Sequence, residues 1–215
     1  MPQTINSWED YWKTETSRNP FSAFLYLLRE RYWTGCFVGV ALRLTKKGTV
    51  LEAGSGSALS SIQLANKRGD RVTALDYSSG ALDIARRAAA KYSVRLDTVQ
   101  ADLTHMPFES KSFDLVWNSG TIEHFDDVVA PVREMLRVGR QILIIIPRLS
   151  IGFRILLLLA KIIPKKLSHA FLEGNEHWYT EKQLADILRS AGCRSVLTGK
   201  LRMLVFFGYL YAVGE

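Results

Sequence analysis

Two glycines and a carboxylate placed 22 positions after the first of them are the features whose spacing first points to chemistry. The segment Val50-Leu-Glu-Ala-Gly-Ser-Gly-Ser-Ala58 reads as a strand that turns on Gly54 and Gly56 into a helix. Glycines there let a ligand approach the backbone without a Cβ in the way, and the helix beyond offers N–H groups with no intrahelical partner. The same turn opens nicotinamide-binding domains, and it also occurs as an ordinary strand-to-helix connection. Asp76 ends the second strand. A carboxylate at that point accepts hydrogen bonds from both hydroxyls of a ribose, or caps the helix that follows. Its distance from the glycine turn favours the ribose.

Two further segments follow: Ala101-Asp-Leu-Thr-His-Met-Pro-Phe108, then Phe113-Asp-Leu-Val-Trp-Asn-Ser-Gly-Thr-Ile-Glu-His124. In this order, with the glycine turn and Asp76, they closely resemble the type-11 group of class I S-adenosylmethionine-dependent methyltransferases. The resemblance covers about residues 47–147 and resumes at Trp178–Gly192. It implies S-adenosylmethionine as cofactor and S-adenosylhomocysteine as its product. It implies that Glu52, Gly54, Ser55 and Gly56 line the methionine end, that Asp76 holds the ribose, and that Tyr77 packs beside the adenine. Asp102 would accept from the adenine amino group with the Leu103 backbone alongside, and Asn118, Ser119, Glu123 and His124 would lie near the sulfonium and the acceptor. The chain departs from the family twice. Ala58 stands where a third glycine is frequent, and the Pro-Gly-Gly turn before the fifth strand is replaced by the shorter Arg137-Val-Gly-Arg-Gln141.

A sulfonium activates its own methyl, so the protein's task is to align the acceptor. A general base is needed only for a protonated acceptor. His124 and His177 are the catalytic candidates, because histidine titrates near neutrality, and Glu123 is a weaker one. His124 could instead serve the turn after the fourth strand, and His177 could be an exposed loop residue. His105 and His169 have no motif around them, and no spacing suggests a metal.

The elements that must position these residues alternate. Strands are expected at Thr49–Ala53, Arg71–Leu75, Leu96–Leu103, Phe113–Asn118 and Gln141–Ile146, with helices at Ser57–Lys67, after Ser78 or Ser79, and at Asp126–Val138. Thr180-Glu-Lys-Gln183 is a capping box opening a helix to Ala191. Strands near Arg194–Thr198 and Met203–Val213 are too close for a crossover, so they should form an antiparallel pair. The expected fold is α/β: a doubly wound, mostly parallel, seven-stranded Rossmann-like methyltransferase sheet with an antiparallel C-terminal pair. It divides into an aromatic-rich helical cap (1–45), a cofactor-binding core (46–147), an insertion or lid (148–176), and a C-terminal helix and strand pair (177–215).

The 215 residues, 47% of them apolar and 23% charged, suffice for one full core. Residues 1–20 lack the apolar stretch of a secretory signal, and the run 151–163 is too short, with Arg154 and Lys161 in it, to span a bilayer. Cys36 and Cys193 lack redox spacing, so reduced thiols and a cytoplasmic setting are expected. Of the +7 net charge, all is contributed between Met135 and Leu172, where Arg137, Arg140, Arg148, Arg154, Lys161, Lys165 and Lys166 meet no acidic residue. That field suggests an anionic partner or is a solvated surface. A helix over 151–163 would be apolar around most of its circumference, with Arg154 and Lys161 on one stripe. It reads as a lid on the core, as a cover for a small hydrophobic or lipid-like acceptor, or as a peripheral membrane contact. A nicotinamide oxidoreductase would need a third glycine where Leu59 stands. A catalytically silent binding protein of the same fold, and an RNA methyltransferase, are the other readings. The apolar character of the basic segment disfavours nucleic acid. Oligomeric state leaves no mark in the sequence.

Overall fold

A computed structural model describes residues 20–160, 177–203 and 207–215. The aromatic positions Trp8, Tyr11 and Trp12, the basic positions Lys161, Lys165 and Lys166, and His169 lie outside them. The strands are β1 (Thr49–Ala53), β2 (Arg71–Asp76), β3 (Leu96–Gln100), β4 (Phe113–Ser119), β5 (Gly139–Pro147), β6 (Val196–Met203) and β7 (Phe207–Gly214). The helices are α1 (Pro20–Leu44), α2 (Leu59–Arg68), α3 (Ser79–Lys91), α4 (Val129–Val138), α5 (Ile151–Ala160) and α6 (Glu181–Ala191). One seven-stranded sheet has the order β3-β2-β1-β4-β5-β7-β6. The first five strands are parallel, and β7 runs antiparallel to both β5 and β6.

Alternation along each strand feeds two faces. Val50, Val72, Leu115, Trp117, Leu143 and Ile145 pack with Phe37, Val38 and Ala41 of α1 and Leu64 of α2. Leu51, Leu75, Val116, Ile142 and Ile144 pack on the other side with Val132 and Met135 of α4 and Leu184 and Leu188 of α6. Both faces are therefore covered, as parallel sheets require. The register levels the strand ends that matter: Ala53 lies opposite Leu75, and Glu52 opposite Trp117. The chain moves outward from β1 through β2 to β3, then returns to the other side of β1 for β4. In sheets of this kind such a reversal is where a crevice for a ligand opens, beyond the C-terminal ends of β1 and β4.

Several boundaries differ from the sequence reading for local reasons. α2 starts at Leu59 because Ala58 adopts a left-handed φ of 52°. α4 starts at Val129, where Asp127 Oδ1 accepts the Val129 N–H at 3.1 Å. β3 ends at Gln100, after which the Ala101 N–H bonds to the Asp76 carbonyl and the chain turns away. The capping box at Thr180 and Gln183 is present in both directions. Both cysteines are free thiols, and no helix among the described residues is long and apolar enough to cross a membrane.

The missing Pro-Gly-Gly turn has a compact replacement. α4 ends at Val138 and β5 begins at Gly139, with no loop residue between them. The Gly139 N–H still closes the helix on the Met135 carbonyl. A Cβ at 139 would stand 2.7 Å from Val116 Cγ2 and 3.0 Å from the Met135 oxygen. Gly139→Ala should therefore lower stability by about 1–3 kcal/mol through overpacking, seen as a fall in Tm. An unchanged melting curve would show that this junction can relax.

Candidate functional site

The exit of β1 is drawn onto the exit of β2. The N–H groups of Gly54 and Ser55 both donate to the Leu75 carbonyl, at 2.8 and 3.0 Å. Gly54 has a φ of 71°, and an ideal Cβ there would lie 2.6 Å from Thr121 Cγ2. Thr121 Oγ1 also donates to the Gly54 carbonyl at 3.1 Å. The sequence reading reserved the bare Cα of Gly54 for a ligand; among protein atoms its close neighbour is Thr121. Ser55 is buried, and its hydroxyl has no hydrogen-bond partner among the described residues. That hydroxyl, at a turn whose backbone is fully specified, is the kind of group a bound polar ligand satisfies.

Asp76 closes the turn from above. Its Oδ2 accepts the Gly56 N–H at 2.8 Å and its Oδ1 accepts the Ser78 N–H at 2.9 Å. The helix-cap reading of Asp76 falls to Ser78, whose Oγ accepts the Ala81 N–H at 3.2 Å. Tyr77 beside it is 41% exposed, with its carbonyl held by Gln100 Nε2 at 2.9 Å. Asp102 is exposed on the loop after β3. Its Oδ1 accepts the backbone N–H and the hydroxyl of Thr104, at 2.7 and 2.8 Å, while Leu103 is buried in the core.

Glu52, 3% exposed, accepts the Ser61 N–H at 3.1 Å near the start of α2, and Ser61 Oγ accepts from Trp117 Nε1 at 2.9 Å. A carboxylate beneath a helix N-terminus is favourably placed. Asn118 is fully buried; its amide donates to the Ala53 carbonyl and accepts the Ile122 N–H at 3.3 Å. Both ends of that amide are thus used to brace β1 against the turn after β4. Ser119 is half-buried at the strand end. A single 3-10 turn, Ile122–His124, carries Glu123 and His124. The Glu123 carbonyl accepts the His177 N–H at 2.9 Å, so both candidate histidines stand on one rim. His177 Nε2 lies 3.7 Å from Asp126 Oδ1. Burial, and then the negative charge of Glu123, push the Tyr179 hydroxyl above its ordinary pKa.

The residues chosen from sequence therefore lie at or just beyond the C-terminal ends of β1, β2, β3 and β4, apart from His177, which the Glu123 carbonyl ties to the β4 side. Thr121 and Ser61 belong with them and were not singled out, while Ser78, expected only as a helix cap, serves as that cap. Thr121 had a signal in the Gly-Thr pair directly after a strand that ends in the conspicuous Asn-Ser.

Comparison with known proteins agrees with this geometry. Residues 51–144 match the family model described as a methyltransferase domain. The chain carries a class I S-adenosylmethionine-dependent methyltransferase domain. A demethylmenaquinone methyltransferase of Mycolicibacterium gilvum is 35% identical over 116 residues, which span 54% of this chain but only 47% of that relative. One from Clavibacter sepedonicus is 31% identical over 163 residues, covering 68% of this chain and 66% of the relative. The fold is shared with the magnesium protoporphyrin IX methyltransferase of Synechocystis, solved with bound S-adenosylhomocysteine, at a TM-score of 0.64 and 17% identity over 85% of this chain and 82% of that one. The cofactor of the family is S-adenosylmethionine.

Within this methyltransferase domain, Ala58 takes the left-handed backbone that the frequent family glycine takes freely. That conformation costs about 1–2 kcal/mol for a residue with a Cβ, and the burial of the Ala58 methyl against Ile62, Ala74 and Leu82 offsets part of it. The basic stretch read from sequence is split in space. Arg137 lies in the last turn of α4 and Arg140 at the start of β5, while Arg148 and Arg154 lie beyond its end, separated from Arg140 by roughly 25 Å of extended chain. Arg140 is 3.8 Å from Asp114, far from the crevice.

Arg137 has a structural task. It grips Glu134 at 2.6 and 2.7 Å and donates to the carbonyls of Phe108 and Met106, at 2.8 and 3.0 Å. Glu134 in turn accepts the Met106 N–H at 2.8 Å. This clamp fixes the loop that carries Asp102. The Arg137 guanidinium holds the Glu134 carboxyl below its ordinary range, with burial opposing and the Met106 N–H adding to the effect.

A carboxyl depressed in the fold contributes stability that is complete above the unfolded Glu pKa, about 4.3, and lost as pH falls through the folded value. Glu134→Gln should therefore flatten the acid limb of the Tm–pH curve; a limb as steep as the wild type's would remove the clamp from the acid response. Gly54→Ala should lower stability by about 2–4 kcal/mol, from the left-handed backbone and the collision with Thr121 together. A melt within error of wild type would mean that the turn does not need glycine.

Proposed function

We propose that the protein transfers a methyl group from S-adenosylmethionine to a small hydrophobic or lipid-like acceptor. The observation that carries this is the direct bond from the Gly56 N–H to the Asp76 carboxylate at 2.8 Å, which joins the glycine turn to the acidic end of β2 over the crevice. When bound, S-adenosylmethionine supplies a methyl already activated by a cationic sulfonium. The chain's own part is to hold and align. In this reading Glu52, Gly54, Ser55 and Gly56 receive the methionine end, with the Ser55 hydroxyl supplying a hydrogen bond. Asp76 holds the ribose through its carboxylate, which the Gly56 and Ser78 N–H groups keep in place. Asp102 Oδ2 makes no hydrogen bond among the described residues and accepts from the adenine amino group, with Leu103 alongside and Tyr77 packing on the ring. Asn118 acts through its bracing of the β1 exit, and Ser119 and Glu123 border the reacting end. For a protonated acceptor, His124 or His177 takes the proton, and Asp126 orients the latter.

The nature of the acceptor is supported by the names of the relatives, whose substrate is a demethylated menaquinone, a quinone of apolar character. The apolar helix α5 beyond β5 supports the same reading. The test is turnover of methyl-labelled S-adenosylmethionine against a panel of lipid, quinone, phenol and amine acceptors. Label should move to a quinone- or lipid-like member. Label moving only to a polar amine would overturn the acceptor class, and absence of S-adenosylmethionine binding by calorimetry would overturn the whole reading. Asp76→Asn, which retains one carbonyl acceptor for the turn, should weaken S-adenosylmethionine binding by about 1–3 kcal/mol.

A further inference from the structure

Helix α5 leaves three large aliphatic side chains in solvent: Ile151 at 66%, Ile155 at 49% and Leu158 at 63% exposure. With the exposed Arg154 they occupy positions i, i+3, i+4 and i+7, an arc of about 100° on the helix. Gly152, outside that arc, is buried, and the helix packs against β7. The stripe thus points away from the body of the protein. Leu149, 40% exposed, extends the apolar surface toward β5. Solvent-exposed aliphatics are ordinary when scattered; three on one side of one helix, with a fourth two residues before it, are not.

We propose that this stripe is a peripheral docking surface for an anionic lipid bilayer. Charge complementarity selects the occupant. Arg154 sits among the apolar side chains, Arg148 lies just before the helix, and no acidic residue occurs anywhere between Met135 and Leu172. Branched aliphatics beside arginine suit insertion at the boundary between headgroups and acyl chains. A nucleic-acid surface would present aromatic stacking groups instead, and the exposed stripe has none. Contact is shallow: one side of α5 is exposed while Gly152 is buried, so the helix lies in the plane of the interface. Docking there sets the end of β5, and with it the crevice, against the bilayer. This goes beyond the proposed activity and does not depend on it.

The test is flotation of the full chain with vesicles of phosphatidylcholine alone and of phosphatidylcholine mixed with phosphatidylglycerol. The protein should float with the mixed vesicles, and less so at high salt. Replacing Ile151, Ile155 and Leu158 together with Ser should reduce partitioning roughly a hundredfold, since each loses about half of a buried aliphatic side chain's transfer free energy. Arg154→Gln should reduce it roughly fivefold, and only on the mixed vesicles. Circular dichroism and S-adenosylmethionine calorimetry on the same variants should match wild type, because the altered side chains are exposed and lie outside the glycine turn. Failure of the wild type to float with either vesicle, or equal flotation of the triple variant, would overturn the proposal while leaving the cofactor reading intact. A concentration-dependent dimer that the triple variant abolishes, without vesicle binding, would reassign the stripe to self-association and also overturn it.

Discussion

The Leu75 carbonyl receives two N–H groups, from Gly54 and Ser55, and the rest of the cofactor end is built outward from that point. One oxygen accepting two consecutive amides forces the chain leaving β1 to fold back over β2. This brings the Gly56 N–H to the Asp76 carboxylate. It sets Ala58 in its left-handed conformation and so fixes where α2 begins. Glu52 then meets the Ser61 N–H in the first turn of that helix. The contacts that reach β2 join residues 20 or 21 positions apart, so they require β1 and β2 to be paired.

The other loops at this rim are tied to one another in the same manner. Asn118 and Thr121 fasten the exit of β4 to that of β1. Arg137 and Glu134 hold the 106–108 loop from the side of α4. The Glu123 carbonyl holds the segment leading into α6 through His177. A rim of loops braced in pairs needs little further ordering when a ligand arrives, which is where binding free energy is otherwise lost.

The sheet, its parallel core and its antiparallel final pair were legible because period-two apolar runs, turn residues and the Thr180 capping box all act within a few residues. The candidate cofactor residues were chosen by spacing and resemblance. What the sequence hid was long-range. Nothing near Arg137 announces that its partners are Met106 and Phe108, so it was counted with the basic field of the insertion. Nothing near Asn118 announces that its amide faces Ala53. Arg140 and Arg148 are eight residues apart in the chain, yet a β-strand separates residues twice as efficiently as a helix, so a charge cluster in sequence became two separate sites in space. Ser78 and Asp76 could not be told apart as caps until their side-chain oxygens had partners.

The placement of β7 between β5 and β6 has a consequence for biosynthesis. An interior strand of this sheet is translated after the other six. Until it leaves the ribosome, β5 has a neighbour on one side only, and every residue from Ile142 to Ile146 is one that the finished protein hides completely. A strand edge of that composition invites pairing with another nascent chain. The final hairpin therefore acts as the closing step that ends this vulnerability, and a chaperone that shields the emerging chain would do so most usefully at Ile142–Ile146.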